Sequence, residues 1–317
     1  MSANNKLAIV AIGGNALIVD EGHNAIPDQA EAAARTSRYI ADIAEAGWNI
    51  VVAHGNGPQV GFILRRSEIA LSEVPPVPMD YASADTQGAI GYMFQRALHN
   101  EFRCRGIRRE VITMVTQVLV DRNDPAFGDP TKPIGSYMDE NTARKLGALQ
   151  NWQVREDSGR GWRRVVPSPL PREIIEIKAI RHLVDDGYVV VACGGGGIPV
   201  YENESGALEG AEAVIDKDLA SSLLARQLRA DMLLICTSVE KVAVNFNTPD
   251  ERWLDSITLR EAQDYRAQGQ FGKGSMEPKI SALISYIEDG GATGIITNPP
   301  NMARAIAGKA GTCLVLD

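Results

Sequence analysis

The sequence predicts an α/β protein whose largely parallel sheet is covered on both faces by helices. Short continuous apolar runs, as seen in strands buried on both faces, alternate with longer stretches of helical period. Most of these runs end in glycine, which puts bare backbone at the carboxyl ends of strands, where open α/β sheets bind their ligands. A chain of 317 residues with 44% hydrophobic content can bury a large core, read here as two lobes sharing one sheet.

The first run, LAIVAI at residues 7–12, is a buried strand followed by GGNAL at 13–17. Gly13 and Gly14 allow close backbone approach to a ligand and Asn15 adds an amide, although an ordinary tight turn has the same appearance. Pro27 and Asp28 open a helix, with Asp28 and Glu31 at capping-box spacing and Gly47 at its end. WNIVVA at 48–53 repeats the strand and HGNGPQVG at 54–61 repeats the glycine exit. The third glycine falls one position late for a dinucleotide fingerprint, which speaks against a Rossmann dehydrogenase. His54, alone beside a glycine turn, reads as a structural hydrogen-bonding partner rather than an acid or base. From Tyr81 a long helix carries Gln87, Gly88, Gly91 and Tyr92 and ends near Gly106; its small residues indicate close packing. A strand over 110–120 follows.

Residues 121–171 break the rhythm. They are rich in Pro, Gly, Arg and Trp and read as a small protruding β-rich subdomain, or lid. Lys132, held between Thr131 and Pro133, suits delivery to a site by lid closure and equally a solvated loop. Arg160, Arg163 and Arg164 read as a solvated hairpin face. A helix over 172–187 leads to the strand YVVVAC at 188–193 and then to GGGG at 194–197. Each glycine costs roughly 0.5–1 kcal/mol of chain entropy relative to alanine, so four in a row imply that something approaches that backbone.

EAVIDKDLAS at 212–221 places Lys217 between Asp216 and Asp218 where a helix begins near Leu219. The unpaired N–H groups and positive dipole end of that helix favour phosphate. Taken alone, D-K-D also suits a capping Asp and an exposed ion pair; the other glycine exits decide for an anion site. A helix over 219–229, a strand over 231–237, the segment SVEKVAVNFN at 238–247 and FGKGSMEPKI at 271–280 follow, with Pro278 in the first turn of a helix running through Ile287. Strands over 293–297 and 312–316 end the chain, the latter closing the sheet.

The net charge of −8 and scattered basic residues exclude a nucleic-acid surface. Cys104, Cys193, Cys236 and Cys313 form no C-x-x-C pair, so neither a zinc site nor a disulfide framework is expected. No apolar run reaches membrane-spanning length and MSANNK carries no apolar signal region, so the expected location is cytoplasmic. The sequence contains no Walker A, H-E-x-x-H, G-x-S-x-G or H-R-D motif. Four glycine exits and three constrained lysines point instead to phosphoryl transfer by positioning and charge neutralisation, with a nucleophile that is already an anion.

GGNAL, AHGNGPQVG, QGAIGYM, PTKPIG, RGWRRVVPSP, GGGGIPV, EAVIDKDLAS, SVEKVAVNF and GSMEPK, in this order from Leu7 onward, resemble the carbamate kinases of the amino acid kinase family. The resemblance implies a three-layer αβα sandwich around a mainly parallel sheet and a homodimer. It also implies reversible phosphoryl transfer between carbamoyl phosphate and ADP with Mg²⁺ accompanying the nucleotide, in a catabolic setting such as arginine catabolism. By the same resemblance, residues 1–205 carry the carbamate side and dimerisation, including the lid 121–171, and 206–317 bind nucleotide. Lys217 and Lys279 match the catalytic lysines, Asp218 the carboxylate that organises them and Lys132 the lid lysine. Gly13, Gly14, Asn15, Gly55, Asn56, Gly57, Gly194 and Gly195 match phosphate- and substrate-binding loops, and Asp216, Val242, Ser275 and Met276 nucleotide contacts. No protein-held metal is expected. Gly272 and Lys273, where Ala and Pro are usual, and Ala82, where Cys is frequent, depart from the pattern. These leave open a kinase of the same fold for another small carboxylate or carbamate-like acceptor; a nucleotide-binding regulator without turnover is a third reading, against which Lys132, Lys217, Asp218 and Lys279 together speak.

Overall fold

The computed structural model describes residues 6–14, 17–18, 22–150, 152–157, 159, 161–272 and 274–316. Asn15, Arg160 and Lys273 therefore lie outside the described residues. The chain runs β1 (Leu7–Ile12), α1 (Ile26–Glu45), β2 (Asn49–His54), α2 (Gly57–Ile69), α3 (Met79–Arg105), β3 (Val111–Thr113) and β4 (Gln117–Val120). There follow β5 (Lys132–Met138), α4 (Glu140–Gln150), β6 (Gln153–Glu156), β7 (Trp162–Val166), β8 (Pro171–Ile174), α5 (Ile177–Asp185), β9 (Val189–Val191), β10 (Ile198–Glu202) and β11 (Leu208–Gly210). The remainder is α6 (Lys217–Gln227), β12 (Met232–Cys236), β13 (Val242–Val244), β14 (Arg252–Leu254), β15 (Ser256–Thr258), α7 (Leu259–Ala267), α8 (Glu277–Glu288), β16 (Thr293–Thr297), α9 (Met302–Ile306) and β17 (Thr312–Val315).

The central sheet has eight strands in the order β15-β17-β16-β12-β1-β2-β9-β3. All pairings are parallel except β16 with β17. Alternation along β1 assigns the layers. Leu7, Ile9 and Ala11 face a core filled by α5, α6, α7 and α8, whereas Ala8, Val10 and Ile12 face α1, α3 and α9. This is a three-layer α/β architecture with β1 fully buried at its centre. A second sheet, β11-β10-β4-β8, flanks it, and β5-β7-β6 with α4 forms the protruding subdomain.

Several sequence expectations shift. The strand expected over 110–120 is two strands in different sheets, because residues 114–116 turn to place Thr116 against Gln87. The helix expected from residue 172 starts at Ile177, since Pro171–Ile174 pairs with β4 instead. The terminal strand does not form the sheet edge; β15 lies outside it. Asp28 caps α1 without Glu31: its carboxylate accepts the Ala25 N–H at 3.1 Å, while Glu31 pairs with Arg35. HGNGPQVG is more than a loop, because Gly57 begins a helix of 13 residues. The αL cap at Gly106 ends α3 as expected.

Gly91 and Gly88 separate in role. A Cβ at Gly91 would lie 2.2 Å from Thr113 Cγ2, so the helix meets β3 only because that side chain is missing. A Cβ at Gly88 would meet nothing within 4 Å. Gly91→Ala should therefore cost on the order of 1–3 kcal/mol by overpacking, whereas Gly88→Ala should stabilise by up to about 1 kcal/mol through helix propensity. Urea denaturation of the two variants checks both signs.

His54, the last residue of β2, is buried and stacks on Phe94 with ring centroids 6.0 Å apart. Its Nδ1 lies 3.1 Å from the Gly55 carbonyl oxygen. Burial outweighs that hydrogen bond and, with the positive charge of Lys217, lowers the imidazole from 6.5 to about 4. Between those values the unfolded chain takes up a proton that the folded chain refuses, so acidification favours unfolding. The stability contribution is complete above pH 6.5 and is lost as pH falls towards 4, by about 3 kcal/mol at most. Denaturation midpoints at pH 7, 5.5 and 4.5 should fall in that order, and His54→Gln should flatten the decline.

Candidate active site

Because β1, β2, β9, β12 and β16 all run in the same direction, their carboxyl ends share one edge of the sheet. That edge gathers Gly13–Gly14, Gly55–Gly57 and the 194–197 loop, together with the first turns of α2, α6 and α8. Residues of all three turns line the cleft, and the positive ends of their helix dipoles suit it to anions.

Lys217 is the first residue of α6, two positions earlier than the sequence suggested, because Asp216 is its N-cap and accepts N–H bonds from Asp218 at 2.9 Å and Leu219 at 3.4 Å. Asp218 is buried and bridges two ammonium groups, with Lys217 Nζ at 2.5 Å from Oδ1 and Lys279 Nζ at 3.0 Å from Oδ2. Burial alone would raise its carboxyl; Lys217 and Lys279 overcome that and hold it at about 2, so it is ionised at neutral pH. Lys279, on the first turn of α8, also donates to the Ser275 carbonyl at 3.1 Å. Two lysines from separate helices are thus aimed from one carboxylate.

The glycine exits fit tightly. A Cβ at Gly55 would lie 2.9 Å from the Gly14 nitrogen, so the first two loops pack backbone against backbone. Gly195, at φ 70°, lies against the Asn56 amide, where a Cβ would be 2.0 Å from Nδ2. Asn56 Nδ2 donates to Thr86 Oγ1 at 2.8 Å, which fixes the amide. Gln87 ties the third loop down: its Nε2 donates to the Thr116 and Gly194 carbonyls at 3.0 and 3.1 Å, and its Oε1 accepts the Thr116 N–H. Sequence reasoning noticed Gln87 without giving it this task, which depends on partners 29 and 107 residues away.

Two cavities meet at the lysines. One, of about 540 Å³, is lined by Gly13 and Gly14, Lys241, Ala243, Phe246, Trp253, Ser275 and Met276. The other, of about 750 Å³, is lined by the glycine loops of β2 and β9, by Lys132 and Arg163 of the subdomain, and by Asp216 and Asp218. Gly14, Lys217, Ser275 and Lys279 belong to both.

Val242 and Asp216, two of the expected nucleotide contacts, do not line the first cavity. Val242 is fully buried in β13 with its N–H bound to Thr312 Oγ1, and its neighbours Lys241 and Ala243 face the first cavity instead. Asp216 lines the second cavity, paired with Lys132 at 2.8 Å. Gly194 is buried behind the loop that exposes Gly195 to the cleft. Of the departures from the family pattern, Gly272 lines the first cavity, whereas Ala82 is buried beneath the subdomain with Val60, Leu64, Ile134 and Val166.

Arg163 and Arg164 correct the solvated-hairpin reading. Arg163 turns into the second cavity, held by Asp157 at 3.1 Å, the Gly135 carbonyl and the Tyr137 ring. Arg164 is half-buried against Trp152. Among the described residues no group of three His, Cys, Asp or Glu side chains could hold a metal ion, and no helix is long and apolar enough to cross a membrane.

Residues 6–298 match the model of the amino acid kinase family. The chain is 47% identical to a carbamate kinase of Thermococcus kodakarensis, covering 98% of this chain and 99% of that one. It is 44% identical to the carbamate kinase-like protein YahI of Escherichia coli, with 98% and 99% covered. Its structure is similar to that of a carbamate kinase from Giardia lamblia bound to AMP-PNP, with a TM-score of 0.93, 40% identity and 99% of each chain covered. With the glycine exits and the Lys217–Asp218–Lys279 bridge at the same edge of the sheet, the chain belongs to the amino acid kinase family.

Proposed function

We propose that the protein is a carbamate kinase that catalyses reversible phosphoryl transfer between carbamoyl phosphate and ADP. The observation that carries this reading is the pair of lysines on Asp218 at the junction of two cavities, where a phosphoryl group passing between two small ligands must travel. In the ATP-forming direction a β-phosphate oxygen of ADP attacks phosphorus. The bond from phosphorus to the carbamoyl oxygen breaks and carbamate leaves. Both oxygens are anionic, so the transfer needs no general base, and His54, behind the glycine loops, is buried and neutral at pH 7.

In this reading the first cavity, lined mostly by residues 206–317, takes nucleotide, and the second, lined mostly by residues 1–205, takes the acceptor. Lys217 and Lys279 stabilise charge on the transferring group, and the backbone of Gly13, Gly14, Gly55 and Gly57 cradles it. Mg²⁺ brought with the nucleotide would neutralise phosphate charge; each Asp218 oxygen already holds a lysine, so the ion would be held mainly by phosphate oxygens and water. Residues 121–171 act as a lid that brings Lys132 to the acceptor and excludes water from labile carbamoyl phosphate. We extend the reading to a cytoplasmic homodimer working in catabolism of carbamoyl compounds. A second reading, a kinase for another carbamate-like acceptor, is favoured by Arg163 on the acceptor cavity and by Ala82 beneath the lid.

ATP formation from carbamoyl phosphate and ADP should be measurable with purified protein; its absence, with turnover of another acceptor in a screen, would select the second reading. Lys217→Ala and Lys279→Ala should each lower kcat on the order of 10²–10³-fold with little change in ADP affinity, and a near-normal kcat would remove that residue from the mechanism. Lys132→Ala should raise KM for carbamoyl phosphate and lower kcat while sparing ADP binding. Hydrogen exchange over residues 121–171 should slow with both ligands present and much less with ADP alone; indifference to the acceptor would end the lid assignment.

A further inference from the structure

We propose that Asp216 is a positioning residue that docks the lid lysine, and thereby sets where Lys132 meets the acceptor. Asp216 divides its two oxygens between separate tasks. Oδ1 caps α6 through the Asp218 and Leu219 N–H groups, and Oδ2 accepts from Lys132 Nζ at 2.8 Å. The cap fixes the carboxylate on the same helical turn that carries Lys217, so Lys132 is registered against the central lysines through a rigid element.

The other end of Lys132 is also fixed. It begins β5, opposite Val166 of β7, and Pro133 restricts the next backbone angle. Ile134 and Val166 bury themselves against Val60, Leu64 and Met79 of α2 and α3, which seats the root of the subdomain on the body. Between those anchors lies a flexible four-carbon stem, and Asp216 is the group that holds its tip. Side-chain exposures of 39% for Lys132 and 16% for Asp216 leave the pair open to solvent on one side, so it adds little to stability. Its effect is positional. An ammonium has three donors, and one spent on Asp216 leaves two that can turn to phosphoryl or carbamoyl oxygens in the second cavity.

This inference rests on the reading of Lys132 as an acceptor-side group, and the test separates the two. Asp216→Asn keeps a good N-cap acceptor while removing the charge that attracts Lys132. The variant should raise KM for carbamoyl phosphate by about tenfold, the scale of coupling within one ion-pair network. KM for ADP and the melting temperature should hardly change. In a Lys132→Ala background the same substitution should add no further rise, because its only route to the acceptor has gone. An equal rise in both backgrounds, or a rise in KM for ADP in place of carbamoyl phosphate, would show that Asp216 acts by itself and overturn the inference. An unchanged KM in Asp216→Asn beside an impaired Lys132→Ala would overturn it too, leaving the lid reading intact. If Lys132→Ala itself matches the wild type for carbamoyl phosphate, the lid reading fails and the docking role falls with it.

Discussion

A carboxylate buried between two ammonium groups is the constraint on which the rest of the site depends. Lys217 and Lys279 come from different helices and their charges would repel each other; Asp218, between them, offsets that repulsion and holds both near. Isolated charges of this kind are expensive to bury, and the cost is tolerable only where hydrogen bonds and opposite charge converge. The apolar seam between α6 and α8, with Leu223 and Leu224 against Ile280, Leu283 and Ile284, holds the three groups in register. The bridge therefore has a mechanical side, since it fixes the first turns of two helices that both point into the cleft.

Much of this was legible in the sequence, for a physical reason. A strand buried on both faces is apolar along its centre, so β1, β2, β9 and β12 announce themselves, and the glycines after β1, β2 and β9 mark where backbone can meet a ligand. What stayed hidden depended on distant partners. The first turn of α2 reads as a loop because Gly57 and Pro58 open it, and only the packing of Val60 and Leu64 shows it to be helical. Strand β8 begins with proline and has no apolar pattern of its own; β4 makes it a strand. On the β13–β14 hairpin the phase of a three-residue strand decides that Val242 points to the core while Lys241 and Ala243 point to the cleft. A run of valines and alanines carries no mark of that phase. Arg163 looks like any surface arginine until Asp157, the Gly135 carbonyl and Tyr137 turn it inward.

The two sides of the cleft are built differently. The first cavity is a wall of main-sheet exits with the hairpin aromatics Phe246 and Trp253 at its rim, edge to face with centroids 6.2 Å apart. The second is a composite, part glycine loop and part subdomain, and its outer wall belongs to a separate three-stranded sheet. Under the proposed function the small polar acceptor offers few atoms to recognise, so its discrimination would fall to the few side chains that this wall brings in. Those side chains stand on elements that pack on α2 and α3 through a small apolar cluster separate from the core that holds the helices of the lysines.

The central sheet has a consequence for how such proteins diverge. β1 is hydrogen-bonded along its length to β2 on one side and to β12 on the other, so the exits bearing the glycine pair, the second glycine loop and the floor of the first cavity are neighbours in one unbroken ladder. Their spacing cannot drift without rupturing main-chain hydrogen bonds in the middle of the molecule. Under the proposed function, the distance over which phosphorus moves is thus fixed by main chain, while the side chains that would meet its small donor stand on a peripheral sheet whose substitution leaves that ladder unbroken.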